Sequence, residues 1–249
     1  MANPEELYIY LSSTVLSTVF QNTISSFQTN FKTPIRLEEG FEYEVGLVKI
    51  SFPSQVKNMW DGRFEYWSFA RAQKIVKSIE TGKYSSAVEI GKEFREIIGK
   101  MDYDHYELKV DEERQCFVLT CHGVKTRIEF SKNIQSLTGL PAVVKTEGKT
   151  VGKSFDLTAG IRHLFCYTDI IKNINIGDTV APILSVVQLK GRAEGQEEYE
   201  PRNPIYVPMS KLYLDSVKVE LRTHFGLNFP FISGDALLLI HIRPRLPRL

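Results

Sequence analysis

Three groups of side chains in this 249-residue chain have the types that do chemistry. Cys116, Cys121 and His122 sit close together, as in part of a zinc site. Cys116 and Cys121 are five residues apart, so a continuous strand would point them to opposite faces. No second ligand pair follows at finger-like spacing. His163 and Cys166 are the members of a thiol nucleophile and its base. Three residues apart, they again fall on opposite faces of a strand, and no glycine-framed nucleophile turn surrounds either. Cys166 reads as a buried small hydrophobe. Asp169, Asp178 and Asp215 can be drawn as a carboxylate cluster. Asp178, between Gly177 and Thr179, reads as a turn cap, and Asp215 lies on the polar face of its strand. The glutamates from Glu194 to Glu200 lack the ligand order of a calcium loop. The aromatic run Phe64, Tyr66, Trp67 and Phe69 would suit stacking against a sugar or base, yet reads as sandwich core and rim. These patterns assign no catalytic, cofactor-binding or metal residue, no cofactor, and no enzymatic role.

The elements that would position these groups are mostly strands. Leu7 to Leu11, Ser26 to Phe31, Glu42 to Phe52 and Phe64 to Phe69 read as strands in the front part. In the third of these, Tyr43, Val45 and Leu47 share one face, while Gly46 and Lys49 disturb the alternation and predict a bulge near Val48. Ser12 to Thr29 is rich in Ser and Thr and reads as extended or loop-like. The pattern then changes. Ser86 with Glu89 forms a capping box, and Val88, Phe94, Ile97 and Ile98 predict an amphipathic helix over 86–100. Glu107 to Val110, Gln115 to Cys121 and Val124 to Phe130 read as strands, and Ser131 to Gly139 as a short helix or turn. Residues 141–154 read as an exposed connector.

Beyond it the chain is β again: His163 to Ile170, Val180 to Leu189, Ile205 to Pro208, Tyr213 to Arg222 and Ala236 to Arg243. In Tyr213 to Arg222, Val217, Val219 and Leu221 point one way and Lys218, Glu220 and Arg222 the other. Lys190 to Asn203 reads as a surface loop. Arg243 to Leu249 is a basic, proline-broken tail. Strands on both sides of an α+β stretch must complete one pair of sheets. The expected fold is therefore mainly β: an eight-stranded jelly-roll sandwich of two antiparallel sheets with an inserted small α+β domain. The expected division is 1–79 for the first part of the jelly roll, 80–150 for the insertion and 151–249 for the second part.

Composition narrows the class further. Hydrophobic residues make up 43% and charged residues 24%, and the net charge is +1, so no global field points to nucleic acid or membrane. Three cysteines do not suggest a disulfide framework and fit a reducing compartment, cytoplasm or nucleus, during folding. The N-terminus lacks the features of a secretory signal, and no apolar run approaches the ~18 residues of a membrane span.

Several segments resemble the minor capsid (penton) protein of Polinton/Maverick elements, adintoviruses and virophages. They are Val45-Gly46-Leu47 with Ser51-Phe52-Pro53, Tyr167-Thr168-Asp169-Ile170, Gly177-Asp178-Thr179 with Ala181-Pro182, and Tyr206-Val207-Pro208. The likeness is strongest over 163–243 and weakest in the insertion. Relatives carry a tryptophan near the end of the first strand, whereas Trp60 lies several residues further on. The resemblance implies a jelly-roll protomer that forms homopentamers at icosahedral vertices of a virion, beside a double-jelly-roll major capsid protein. In such a shell the Arg/Pro tail would make weak, salt-sensitive contact with packaged DNA. A second class stays open: a jelly-roll binding module for glycan or receptor attachment, with the insertion as its reading surface.

Overall fold

Strand alternation and turn residues account for most of the chain in the computed structural model, which describes residues 6–15, 20–99, 102, 104–123, 127–145, 147–190 and 195–245. The chain divides into two compact units, Met1–Val56 with Arg162–Leu249, and Lys57–Ile161. The first unit opens with β1 (Leu7–Ser12), β2 (Ser26–Arg36) and β3 (Tyr43–Pro53). The second holds β4 (Gly62–Ser68), β5 (Gln73–Ile79), helix α1 (Ala87–Ile98), β6 (Tyr106–Asp111), β7 (Cys116–Cys121) and β8 (Ile128–Phe130). It closes with helix α2 (Lys132–Thr138), β9 (Val143–Val144) and β10 (Gly148–Ser154). The first unit then resumes with β11 (His163–Thr168), β12 (Ile174–Ile176), β13 (Thr179–Ala181) and β14 (Ile183–Gln188). Its last strands are β15 (Gln196–Tyr199), β16 (Tyr206–Pro208), β17 (Tyr213–Arg222) and β18 (Leu237–Pro244).

In the first unit one antiparallel sheet runs β1-β18-β3, with β15 and β16 both pairing β3 on its far side. The other runs β14-β11-β17-β2. If β15 and β16 count as one interrupted strand and the small β12–β13 hairpin is set aside, the first sheet takes strands one, eight, three and six in chain order. The second sheet takes five, four, seven and two. That interleaving is the winding of a jelly roll, so the expected fold class is the observed one. The buried faces follow the expected alternation: Val217, Val219 and Leu221 are inside, with Lys218, Glu220 and Arg222 outside. The bulge is at Val48: Leu239 faces Lys49 and Ile240 faces Leu47, which leaves Val48 as the extra residue.

The second unit has its own core. Helix α1 presents Ala87, Ile90, Phe94 and Ile98 to Phe64, Tyr66, Tyr106, Phe117 and their neighbours. Val88, expected on that stripe, is instead 51% exposed, because the buried face runs through Ala87 and Gly91. The Ser86 hydroxyl accepts from the Glu89 N–H at 3.3 Å, as a capping box requires. The Glu89 carboxylate reaches back one residue further than the motif predicts, to the Ser85 N–H and hydroxyl. Helix α2 ends at Gly139, whose φ of +68° is the left-handed cap a glycine supplies.

Four expectations differ from the structure. The 141–154 connector contains β9 and β10, and β10 pairs along β7. A run of Lys, Thr and Gly hid a strand that is exposed on one face. Gln73 to Ile79 forms β5, which the lysines at 74 and 77 obscured. β4, placed by the sequence in the front of the sandwich, pairs with β5 and β8, all within Lys57–Ile161. The joints of the compact units thus fall near residues 56 and 161, not 79 and 150. The loop expected over Lys190 to Asn203 includes β15. Residues 124–126 of the strand expected from Val124 to Phe130 lie outside the described residues, as do 246–249 of the basic tail. No described helix is long and apolar enough to cross a membrane.

Candidate functional site

The side chains with reactive chemistry do not come together. Cys116 and Cys121 are both buried, and burial pushes the Cys121 thiol up to about 11. His122 is exposed, and its carbonyl meets the His105 ring nitrogen Nδ1 at 3.0 Å. His163 is exposed while Cys166 is fully inside, as strand geometry requires, and burial raises that thiol to about 12. A thiol held so far above neutrality supplies no thiolate nucleophile. Asp169 accepts from the Lys218 N–H at 2.9 Å and pairs with Lys211 Nζ at 2.6 Å. Asp178 sits in the β12–β13 turn after Gly177, whose φ is +58°. Asp215 is exposed and accepts from the Ser216 hydroxyl. Among the described residues no three His, Cys, Asp or Glu side chains converge as a metal ion would need. Phe64 and Tyr66 lie in the core of the second unit, and Phe69 stacks on His105 with ring centroids 4.0 Å apart.

A different constellation stands on the outer face of the β1-β18-β3-β16 sheet. His241, on β18, points outward yet is only 6% exposed, because aromatic rings cover it. The Tyr8 ring lies parallel to it, with centroids 4.3 Å apart and planes 3° apart. Tyr206 meets it edge-on, its hydroxyl 2.8 Å from Nδ1. The Glu6 carboxylate is 3.2 Å from Nε2. An ionised carboxylate only accepts, so in the neutral ring Nε2 carries the proton and the Tyr206 hydroxyl donates to Nδ1.

The register explains the cluster. Tyr8, His241, Gly46 and Tyr206 lie opposite one another on four adjacent strands. Gly46 lets the ring lie close, since a Cβ there would stand 3.1 Å from the Tyr206 ring and push it back by a few tenths of an ångström. Arg243 continues the row, its guanidinium 3.5 Å from the Tyr206 ring centroid and 2.8 Å from Glu44. The next arginine of the tail, Arg245, pairs with Glu42 at 2.9 Å.

Both nitrogens of His241 are committed and its flat face is covered. The arrangement clasps four strands, with the imidazole enclosed and the Glu6 carboxylate at its exposed rim. The sequence reading passed over His241. The signal was present, since Leu237, Leu239, His241 and Arg243 alternate outward from Leu238, Ile240 and Ile242.

No known family description matches the chain, and no curated protein matches it in sequence. Among solved structures, the mavirus penton protein is similar over 97% of this chain and 100% of its own, with 8% identity and a TM-score of 0.47. A chain of the Sputnik virophage particle is similar over 96% of this chain and 98% of its own, with 8% identity and a TM-score of 0.42. Likenesses this distant bring no function with them.

Proposed function

We propose that the protein is a structural capsid protein, the penton capsomer that forms homopentamers at the vertices of an icosahedral virion. One observation carries the reading. Two of the segments on which the penton resemblance rests, Val45-Gly46-Leu47 and Tyr206-Val207-Pro208, are far apart in the chain yet hydrogen-bonded neighbours, with Tyr206 opposite Gly46 and Val207 opposite Val45. A third, Tyr167-Thr168, lies in β11 beside β17 of the opposite sheet. The residues of these three segments are thus framework positions of one jelly roll.

A vertex ring is a set of head-to-tail interfaces that closes after five copies, and a two-layer β block supplies rigid flanks for it. The same fold class hosts shell proteins and lectins, so fold alone does not decide between them. In this reading the chain contacts a double-jelly-roll major capsid protein and resides in the virion. Tail contact with packaged DNA would compete with the Arg243–Glu44 and Arg245–Glu42 pairs and would weaken with added salt.

Co-expression with the matching major shell protein tests the proposal. The expected result is particles with this chain at the vertices, and a soluble species near five times 28.5 kDa. Particles whose vertices lack it, or a glycan-binding monomer, would overturn the reading.

A further inference from the structure

A jelly-roll sandwich has four edges, and three of these are broken. In β2 the register jumps from Asn30 opposite Ser216 to Ile35 opposite Leu214, so Phe31 to Pro34 bulge out against Asp215 alone. In β14 a bulge falls at Leu184, two residues after Pro182. The fourth-side edge is split between β15 and β16 by a segment holding Pro201 and Pro204. Bulges, prolines and interruptions are the usual means by which sheets avoid pairing with other chains. β1 has none of them. Leu7-Tyr8-Ile9-Tyr10-Leu11-Ser12 runs in unbroken register along β18, with no charge and no proline. Such a segment is the kind that templates another strand.

The direction of its backbone groups follows from the ladder. Ser13 N–H donates to the Ala236 carbonyl, and the register continues by alternation, so Leu7, Ile9 and Leu11 bond to β18. The other side of β18 agrees: Arg245 N–H donates to the Glu42 carbonyl, which leaves the even residues of β18 for β1. Tyr8 and Tyr10 therefore aim their N–H and C=O groups away from the sheet. Their side chains stand on its outer face, 62% and 65% exposed. Such a row of alternating donors and acceptors, open to water, is a ready template for another strand.

We propose that β1 pairs antiparallel with β1 of a second copy of this chain, Tyr8 opposite the partner's Tyr10 and Ile9 opposite the partner's Ile9. Two points select the occupant. The other sandwich edges are interrupted and cannot match an unbroken six-residue edge. The register centred on Ile9 is its own complement under a two-fold axis, which is what an isologous contact needs. Both tyrosine pairs then exchange two backbone bonds, and the two outer faces join into one aromatic strip. This contact is separate from a five-membered ring, whose interfaces are head-to-tail.

Sedimentation equilibrium of the full chain over a wide concentration range tests it. The expected result is reversible association by pairs, seen at twice 28.5 kDa where the chain is otherwise single and at twice the ring's mass where the five-copy species forms. Tyr10→Pro removes the outward N–H and the Tyr10 ring and fixes φ, but removes no N–H that bonds to β18; two hydrogen bonds are lost per dimer, so it should weaken the dimer by at least roughly tenfold. If Tyr10→Pro fails to fold, Tyr8→Lys with Tyr10→Lys serves instead, placing ammonium groups opposite each other and giving a monomer. A wild-type chain monomeric throughout, or a dimer indifferent to these variants in a folded protein, overturns the proposal. A five-copy species untouched by them, with no dimer, keeps the penton reading and overturns this one.

Discussion

The two units solve the same problem by different means. The sandwich satisfies its backbone with long ladders, such as the pairing of β18 with β3 from Leu237 to Pro244. Its main polar network, around His241, lies on the outer face. The unit at Lys57–Ile161 has shorter strands and more turns, and it ties them from within. The buried Asp102 carboxylate accepts from the Ser68 hydroxyl at 2.7 Å and from the N–H groups of Phe69 and Ala70. Asn133 accepts from the Trp60 and Asp61 N–H groups and donates to the Asn58 carbonyl. Asn58 in turn holds Tyr84 and the Leu157 carbonyl. A turn buried against a core needs partners for its amides, and side chains supply them where no neighbouring strand can.

The comparison breaks most severely if the second unit cannot stand alone. Its core of Met59, Phe64, Phe94, Tyr106, Phe117 and Leu137 lies wholly within residues 57–161. That fragment, expressed by itself, should give dispersed amide NMR signals and a cooperative thermal transition. A collapsed fragment without either would make the division into units a matter of outline only.

The nodes give the next largest effect. Asn133→Ala removes partners from two N–H groups and one carbonyl in a buried place. The expected cost is about 3 kcal/mol in urea unfolding, since each stranded group costs roughly 1–3 kcal/mol. Thr168→Val in the sandwich should do the opposite. The Thr168 hydroxyl is buried with no hydrogen-bond partner among the described residues. A methyl of the same shape should leave stability unchanged or raise it by about 1 kcal/mol. Equal losses at both positions would erase the contrast.

The legibility of the sequence follows the same division. β3, β17 and β18 could be read directly, because one buried face per strand writes a period of two into the residues. The jelly roll followed, since strands on both sides of an insertion must share sheets. β5 and β10 were not legible. They are partly exposed, and Lys74, Lys77, Lys149 and Lys153 replace the apolar alternation with charge. Asp102 and Asn133 gave no signal at all, for a polar residue looks the same in sequence whether it caps a turn at the surface or inside. His241 was half legible: its outward register could be counted, but Tyr8 and Tyr206 come from opposite ends of the chain.

Alkaline pH separates the units more gently. Burial holds the Tyr66 and Tyr106 phenols up at about 12, and the thiols of Cys121 and Cys166 at about 11 and 12. Each of these groups keeps its proton longer folded than unfolded. Their contribution is complete below the unfolded values, 9.0 for Cys and 10.0 for Tyr, and is lost as pH climbs through the folded ones. Tyr66, Tyr106 and Cys121 all belong to the second unit and Cys166 to the sandwich, so the second unit's unfolding midpoint should fall more steeply above about pH 9. Tyr106→Phe should flatten that fall. A sandwich transition that drops as steeply would show that the titrating groups are not those named.

The smallest effect tests the outer face. Tyr206→Phe removes only the hydroxyl that meets His241 Nδ1 at 2.8 Å. The ring over Gly46 and under Arg243 remains, so the strand pairing and the cation–π contact persist. The expected loss is about 1 kcal/mol, the net worth of one hydrogen bond. Tyr206→Ala also removes the ring, baring Gly46 and freeing Arg243, and should cost clearly more. If the two variants lose the same, the hydroxyl alone holds the clasp and the ring is passive. If Tyr206→Phe loses nothing while Tyr206→Ala does, His241 is kept in place by stacking on Tyr8, and the outer face is a packed surface like a core.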